Sequence, residues 1–255
     1  MARPIRVAAA GDIHCSPETR DRLAAAFERV EPAVDMFLLA GDLTTVGEPE
    51  QALALGEICR GLTTRVVAVL GNHDWHANRV DELVEILEAA GVTVLDPGTS
   101  TCELNGASVG VTGTKGFVGG FPDSQLPDFG EPILRQVYRD TTAEVEAITT
   151  GLDEIEGCDY RIVLLHYAPT TTTLEGEPRG IWAFLGSDCL AGPIAAHCPD
   201  LVLHGHAHAG SFEGYIGRVP VYNVAIQVTQ KDFWYFELGG RERAHEASLE
   251  GQASA

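Results

Sequence analysis

The sequence predicts an α/β protein with a largely buried sheet. Short apolar runs rich in valine, leucine and alanine alternate with segments of helical periodicity, which is the pattern of βα units. No run reaches the roughly 18 apolar residues that span a bilayer. A chain of 255 residues is long enough for one compact domain, so we expect a single domain over 1–238 and a polar, frayed or partly helical tail over 239–255.

The individual elements follow from the same alternation. Six apolar runs are predicted strands: Ile5–Ala10, Met36–Ala40, Arg65–Leu70, Ser108–Thr112, Arg161–Leu165 and Leu201–Leu203. Amphipathic periodicity predicts five helices: Glu18–Val30, Pro49–Arg60, Asn78–Ala90, Glu131–Thr150 and Ser187–His197. The pattern then changes to a hairpin, Ser211–Ile216 with Val219–Val224, and to the β-rich stretch Ala225–Leu238. These last strands predict a second sheet or a sheet edge.

The charge balance excludes some partners. The chain has 37 acidic and 17 basic residues, a formal charge of −20, and only Lys115 and Lys231 are lysines. It therefore lacks the basic footprint of a protein that binds extended nucleic acid.

The six cysteines are widely spaced without a C-x-x-C pair, which predicts free thiols. The N-terminus enters a strand without an export signal, so we expect a cytoplasmic protein without a membrane partner. The sequence carries no signal for oligomeric state.

Aspartate, asparagine and histidine residues stand where five predicted strands end. The segments concerned are Gly11-Asp12-Ile13-His14, Gly41-Asp42, Gly71-Asn72-His73-Asp74, His166 and His204-Gly205-His206-Ala207-His208. In open α/β sheets, ligands bind in the crevice outside the carboxyl ends of the strands. Carboxylate, amide and imidazole groups without thiolates describe a site for a hard to intermediate divalent metal.

Spacing adds a geometric expectation. Residues i and i+2 on an extended chain point to the same side, so Asp12 and His14 can share one ion. His206 and His208 have the same spacing, and with two ions about 3.5 to 4 Å apart they could instead serve one ion each. A glycine precedes four of the ligand-type residues, which suits close approach of the backbone to a metal centre.

Each of these signals is weak alone, because a lone Gly-Asp is more often a turn or helix cap and a lone histidine is more often structural. In the order D-x-H, G-D, G-N-H-D, H, G-H-x-H, however, the motifs from Asp12 to His208 resemble the calcineurin-like metallophosphoesterase superfamily. The resemblance implies a four-layer αββα sandwich of two mixed β-sheets flanked by helices. It also implies a binuclear metal centre at the carboxyl ends of the strands.

The resemblance assigns roles to these residues. It implies that the first ion binds Asp12, His14 and His208, that the second binds Asn72, His166 and His206, and that Asp42 bridges the two. His73 is implied to be the catalytic histidine that faces the substrate without binding metal. Mixed nitrogen and oxygen ligands favour Mn²⁺, with iron or Zn²⁺ as alternatives. His204 is predicted to be a hydrogen-bonded structural histidine at a strand end. The alternative is that it supports the metal ligands without binding a metal itself.

One departure from the superfamily narrows the function. Phosphoprotein phosphatases of this superfamily carry G-D-x-x-D-R-G at the bridging aspartate, whereas this chain has Thr45 and Val46 in place of the second acid and the arginine. A phosphoprotein phosphatase is therefore not expected, and the acid that would orient His73 is absent. Resemblance to compact bacterial members implies a phosphodiesterase acting on small phosphodiesters, including cyclic nucleotides.

Our leading hypothesis is a metal-dependent phosphoester hydrolase for a small nucleotide-like phosphodiester. Attack on phosphorus would be in line, by a hydroxide that bridges the two ions. The alternatives are a phosphomonoesterase for a small metabolite and a non-catalytic scaffold of the same fold. A mononuclear metal-binding or transport protein is a further alternative, which predicts fewer ligands than seven.

Two segments between the motifs are candidates for the substrate pocket. Lys115–Gly130 is rich in glycine and proline, and it is either a lid hinged at Gly119-Gly120 or an Ω-loop anchored by its phenylalanines. Pro169–Ser187 carries Arg179, which could clamp a phosphate, and Trp182, which could stack on a base. The alternative for these two residues is a surface arginine and a packed tryptophan.

Overall fold

The computed structural model describes residues 3–239. The strands are β1 (Ile5–Ala10), β2 (Met36–Ala40), β3 (Arg65–Val69), β4 (Val92–Val94), β5 (Gly98–Leu104), β6 (Ala107–Gly113), β7 (Tyr160–Leu164), β8 (Leu201–His204), β9 (Glu213–Ile216), β10 (Val219–Asn223) and β11 (Trp234–Leu238). The helices are α1 (Arg20–Val30), α2 (Pro49–Arg60), α3 (Val80–Ala89), α4 (Pro132–Glu154), α5 (Ala191–His197) and the single turn α6 (Ile226–Thr229).

The strands form two mixed sheets. The first has the order β11-β1-β2-β3-β4, and the second has the order β5-β6-β7-β8-β10-β9. Strands β1 to β4 are parallel, as are β6, β7, β8 and β10, while β11, β5 and β9 are antiparallel strands at three of the sheet edges. The parallel strands of each sheet therefore end together, which is what a site at their carboxyl ends requires.

Three apolar layers hold the sandwich together. Alternate residues of β1 divide between two of them: Ala8 and Ala10 pack towards α1 to α3, while Val7 and Ala9 pack against the second sheet. A third cluster joins the outer face of the second sheet to α4 and α5. The order of layers is therefore helix, sheet, sheet, helix, and the predicted αββα sandwich is confirmed.

Several predicted elements need correction. The stretch Ala225–Leu238 is not β-rich throughout, because the amides of Val228 and Thr229 bond to the carbonyl of Ala225 and form the helical turn α6. The predicted helix Ser187–His197 is α-helical only in α5 and begins as a 3-10 turn. Strands β4 and β5 were not predicted. All six cysteines are free, as predicted, and the tail beyond Gly239 lies outside the described residues.

The longest helix, α4, is amphipathic, with one buried face and many exposed polar residues. Among residues 3–239, no helix combines the length and the apolar character needed to cross a lipid bilayer.

Candidate metal centre

The carboxyl ends of five strands bring ligand-type residues together at one edge of the sandwich. Ligand atoms of Asp12, His14 and His208 lie within 4.8 Å of one another, and the same limit holds for Asp12, Asp42 and His166. A third group within this limit joins Asp42 to His14 and His73. Because the groups share members, the donors form one continuous cluster.

Four of the predicted ligands have left-handed backbone angles. The φ angles are +58° at Asp12, +43° at His14, +49° at Asp42 and +69° at His206. Residues other than glycine seldom adopt this conformation, and it concentrates at functional sites where the surrounding structure holds it in place. The extended-chain geometry predicted for Asp12 and His14 is therefore wrong. The two side chains still meet, because the chain turns at both residues.

Two glycines permit close approach of the backbone to the carboxylates. A methyl group on Gly71 would overlap Oδ1 of Asp42, and one on Gly205 would overlap Oδ2 of Asp12. Gly71 and Gly205 are thus required because there is no room for a side chain at either position, and not because of a left-handed φ angle. This confirms the close approach expected from the sequence at these two positions.

Backbone carbonyls determine which ring nitrogen of two histidines faces the cluster. Nδ1 of His14 lies 3.3 Å from the carbonyl oxygen of Thr44, and Nδ1 of His166 lies 2.9 Å from that of Ala40. A carbonyl only accepts hydrogen bonds, so Nδ1 carries the proton and Nε2 presents its lone pair. Burial lowers the pKa of His166 to about 3, so this ring is neutral at physiological pH.

The two histidines that follow β8 present different nitrogens. Nε2 of His206 lies 3.1 Å from the carbonyl oxygen of Phe184, which leaves the lone pair on Nδ1. Nε2 of His208 instead lies 2.8 Å from Oδ1 of Asp12, and this hydrogen bond raises the pKa of His208. Asp12 also accepts the backbone N–H of His206 at 3.0 Å, so one carboxylate positions both histidines.

Three carboxylates are buried at this edge. Asp12, Asp42 and Asp74 are each at most 1% exposed. Burial, together with the negative charges of Asp12 and Asp74, raises the pKa of Asp42 to about 8. Burial also acts to raise the pKa of Asp12, but the hydrogen bond from His208 and neighbouring imidazoles outweigh it, and the pKa lies below its usual value.

The donor set fits divalent cations. Three buried carboxylates close together are unfavourable when ionised, and positive charge at this edge would stabilise them. In addition, the lone pair on Nε2 of neutral His166 lies 2.9 Å from Oδ1 of Asn72, so two acceptors face each other. A cation that accepts both lone pairs removes this repulsion. Oxygen and imidazole donors together suit Mn²⁺, iron or Zn²⁺.

His73 lies at the margin of the cluster and is held by the β2 loop. Its Nδ1–H donates to the carbonyl oxygen of Thr45 at 2.7 Å, and its backbone N–H donates to Oδ1 of Asp42 at 2.8 Å. The Nε2 atom lies 3.8 Å from Oδ2 of Asp42, and a third of the side chain is exposed. The ring packs 4.6 Å from that of His14. This places a ring nitrogen at the border between the carboxylates and solvent.

Sequence reasoning missed the role of Asp74. Its carboxylate accepts hydrogen bonds from the backbone N–H groups of Leu43, Thr44 and Gly71 and from the Thr44 hydroxyl. These bonds join the loop after β2 to the loop after β3, and so fix the relative positions of Asp42 and Asn72. In the sequence, the residue follows a Gly-Asn-His segment and is indistinguishable from an ordinary turn or helix-capping aspartate.

The segment Pro169–Ser187 is attached to the loop after β8. Besides the bond from His206 to Phe184, the Ala209 N–H donates to the Glu177 carboxylate at 2.7 Å, and the Ser211 N–H donates to the Thr173 carbonyl at 3.0 Å. The segment Pro169–Ser187 is therefore hydrogen-bonded at three points to the loop after β8, which carries the predicted ligands His206 and His208.

Trp182 and Arg179 contact each other within this segment. The Arg179 guanidinium lies 5.0 Å from the centre of the Trp182 ring, and the indole N–H donates to the Glu177 carbonyl at 3.1 Å. Trp182 packs against a small cluster that includes Phe121 and Leu185. Among the described residues, no hydrogen bond, ion pair or ring contact joins Arg179 or Trp182 to a predicted ligand. Trp182 is thus partly buried, and Arg179 lies beside it as an exposed side chain.

The segment Lys115–Gly130 is anchored in its first half. Phe121 is 1% exposed, and the amides of Gly119 and Gly120 bond to the carbonyls of Ala183 and Gly186. The predicted hinge is therefore held by hydrogen bonds to its neighbour, which favours the Ω-loop interpretation here. Phe129, in contrast, is 76% exposed and anchors nothing.

His204 has the burial and the hydrogen bonds expected of a structural histidine at a strand end. It is fully buried, Nδ1 lies 2.8 Å from the Gly205 carbonyl oxygen, and Nε2 lies 2.8 Å from the Thr173 hydroxyl. Both ring nitrogens are thus hydrogen-bonded, and burial lowers its pKa to about 4. His204 supports the loop after β8 from behind.

Comparison with known proteins agrees with this geometry. The family model for calcineurin-like phosphoesterases matches residues 5–210, a range that includes every predicted ligand. The chain belongs to this family. A symmetrical bis(5'-nucleosyl)-tetraphosphatase from Burkholderia thailandensis is 43% identical over 79 residues, which are 31% of this chain and 24% of that protein. The chain thus matches about a quarter of the length of this relative.

Solved structures share the fold of this calcineurin-like phosphoesterase. Phosphopantetheinyl hydrolase from Mycobacterium tuberculosis superposes with a TM-score of 0.65 at 13% identity, over 96% of this chain and 100% of that one. The anchor in the inner membrane complex of Plasmodium superposes with a TM-score of 0.57 at 12% identity, over 92% and 81% of the two chains. At these identities the similarity extends to the fold alone.

Proposed function

We propose that this chain is a phosphoester hydrolase whose centre holds two divalent ions bridged by Asp42. The observation that carries the proposal is that the two oxygens of Asp42 face different donors. Oδ1 lies 3.4 Å from Nε2 of His166, and Oδ2 lies 3.9 Å from Nε2 of His14. A carboxylate with imidazole lone pairs on both sides is the arrangement expected of a bridging ligand.

The remaining ligands divide between two sides of Asp42. We assign Asp12, His14 and His208 to the first ion, and Asn72, His166 and His206 to the second. The close grouping of the first three and the contact between Asn72 and His166 support this division. We propose Mn²⁺ as the activating ion, with iron or Zn²⁺ as alternatives. When bound, two such ions lower the pKa of water to supply a nucleophile and neutralise the phosphoryl oxygens.

His73 is our proposed catalytic residue outside the ligand set. The carbonyl of Thr45 takes its Nδ1–H, so Nε2 is the nitrogen that remains for the substrate. In its imidazolium form, the ring can donate a proton from Nε2 to the leaving-group oxygen or hydrogen-bond to a nonbridging oxygen.

The proposed substrate is a small phosphodiester related to nucleotides. Three observations support it: Thr45 and Val46 replace the acid and arginine of phosphoprotein phosphatases, the net charge of −20 disfavours a polyanion, and the partial relative is a nucleoside tetraphosphatase. Arg179 and Trp182 contact each other in this structure, and we propose them as substrate contacts because their segment is hydrogen-bonded to the loop after β8. Phosphomonoesterase action is the alternative, since the same centre can cleave either ester.

The test is a comparison of matched substrates. Protein purified and supplied with Mn²⁺ should hydrolyse bis-nitrophenyl phosphate or a cyclic nucleotide with a higher kcat/KM than the corresponding monoesters. A consistent preference for monoesters would replace the diester proposal with its alternative. Processive degradation of single-stranded DNA or RNA would contradict the small-substrate proposal, and no hydrolysis of any ester with both metals bound would favour the scaffold.

A further inference from the structure

Tyr167 is a buried side chain beside the metal centre that the proposed mechanism does not use. It follows the predicted ligand His166 directly and is 6% exposed. Its ring centre lies 4.4 Å from that of His206 and 5.5 Å from that of His166. The phenol therefore packs against two of the three residues that we assign to the second ion.

The hydroxyl of Tyr167 has no hydrogen-bond partner among residues 3–239. Buried tyrosines normally find one. Among residues 3–239, the one buried side-chain oxygen or nitrogen atom without a hydrogen-bond partner is Oε1 of Gln227. The Tyr167 hydroxyl is therefore not fully buried but has some contact with solvent. A phenol that is open to solvent, on a ring packed against His206, is available to a ligand of the centre.

The Tyr167 ring has neighbours on several sides. The Lys115 ammonium lies 5.3 Å from the ring centre, and the Phe117 ring packs edge-on at 6.0 Å. The backbone N–H of Tyr167 donates to the Lys115 carbonyl at 3.0 Å. His206 packs against the ring as a further neighbour, so contacts with side chains and backbone hold Tyr167 in place.

The hydroxyl is protonated near neutral pH, because the ordinary pKa of a tyrosine side chain is about 10. Near neutral pH the group can donate a hydrogen bond to an anion.

We propose that the Tyr167 hydroxyl donates a hydrogen bond to a nonbridging phosphoryl oxygen of the substrate, on the side of the centre where His166 and His206 lie. The His73 ring packs near His14, whereas the Tyr167 ring packs near His206 and His166. The two residues therefore flank the centre from different sides. The inference rests on the proposed function, because it names a contact to the same phosphoryl group.

The test uses Tyr167→Phe, which keeps the ring and removes only the hydroxyl, in protein loaded with Mn²⁺. Orthophosphate, titrated calorimetrically, should bind about 10- to 100-fold more weakly, because hydrogen bonds to charged groups have this effect. The value of kcat/KM should fall by a similar factor on diesters with good and with poor leaving groups, since a nonbridging oxygen is contacted in both.

Tyr222→Phe is the matched control. Tyr222 is buried, and its hydroxyl contacts Glu213 rather than the metal centre. This variant should keep both phosphate affinity and kcat/KM within about twofold of the original protein. Metal content per chain should be unchanged in both variants.

Two results would overturn the inference. In the first, Tyr167→Phe keeps phosphate affinity and kcat/KM within about twofold. In the second, it loses bound metal, which would make Tyr167 only a support for His206. Phosphate binding needs no turnover, so a wild-type protein that binds phosphate through Tyr167 but hydrolyses no ester would contradict the proposed function and leave this inference standing.

Discussion

The Nδ1–H of His73 donates a 2.7 Å hydrogen bond to the backbone carbonyl of Thr45. Thr45 occupies the position where phosphoprotein phosphatases carry a second acid. A neutral carbonyl thus orients the ring in this chain, and it stabilises an imidazolium less than a carboxylate would.

His73→Ala should therefore lower kcat by roughly 10²-fold, the lower part of the usual range for general acid catalysis. The loss should be larger on poor leaving groups than on nitrophenolate, and both metals should remain bound. His197→Ala, whose ring lies 3.7 Å from Asp153 on the helical side of the second sheet, is the control. Equal losses for all leaving groups would instead assign His73 to electrostatic positioning.

Asp42→Asn should remove more metal than loss of a ligand assigned to one ion. As the proposed bridge, Asp42 lies near donors on both sides of the centre, whereas His208 lies with Asp12 and His14 on one side. Metal analysis after saturation and desalting should find close to zero equivalents in Asp42→Asn and about one in His208→Ala. Two equivalents retained by Asp42→Asn would exclude a bridging role.

Metal binding should release protons below pH 8. Burial and the neighbouring carboxylates raise the pKa of Asp42 to about 8 in the metal-free protein, so at pH 7 it is mostly protonated, and binding a cation requires its ionised form. Apparent metal affinity should therefore rise with pH up to about 8 and then level off. Calorimetry in buffers of different ionisation enthalpy measures the release. The release should be larger at pH 7 than at pH 9, where Asp42 is already ionised, and an equal release at the two pH values would contradict the assignment.

Asp74→Asn should destabilise the metal-free protein by about 2–4 kcal/mol, because an amide group would face backbone donors that now bond to a buried carboxylate. Urea unfolding of the metal-free protein measures the change. Asp159→Asn is the control, since this exposed aspartate also accepts bonds from a backbone amide and a hydroxyl, both of Ser108. A cost below about 1 kcal/mol at Asp74 would show that the two loops are held in another way.

The sequence was sufficient to predict the layers of the fold but not every strand. Strands such as β1 and β2 were predicted with their correct bounds, because buried parallel strands are continuous apolar runs. Strand β5 is polar and half-exposed, and β4 is only three residues long, so neither has a distinctive pattern. The turn α6 was missed because Ile226 and Val228 favour strands in isolation.

The residue types of the site were predictable, but their geometry was not. The positions of Asp12 and His14 follow from where β1 ends, whereas their left-handed backbone angles depend on contacts with other loops. The carbonyls that orient His166 and His206 come from Ala40 and Phe184, which are distant in sequence. Asp74 and Tyr167 stand next to predicted ligands in the sequence, but they were missed because their partners, the loop after β2 for Asp74 and His206 for Tyr167, come from distant parts of the chain.

The most direct measurement is the number of divalent ions bound per chain, determined together with phosphodiesterase activity as Mn²⁺ is added to metal-free protein. A centre bridged by Asp42 predicts two equivalents at saturation, with full activity reached only when both are bound. Full activity with at most one equivalent bound would contradict the binuclear centre.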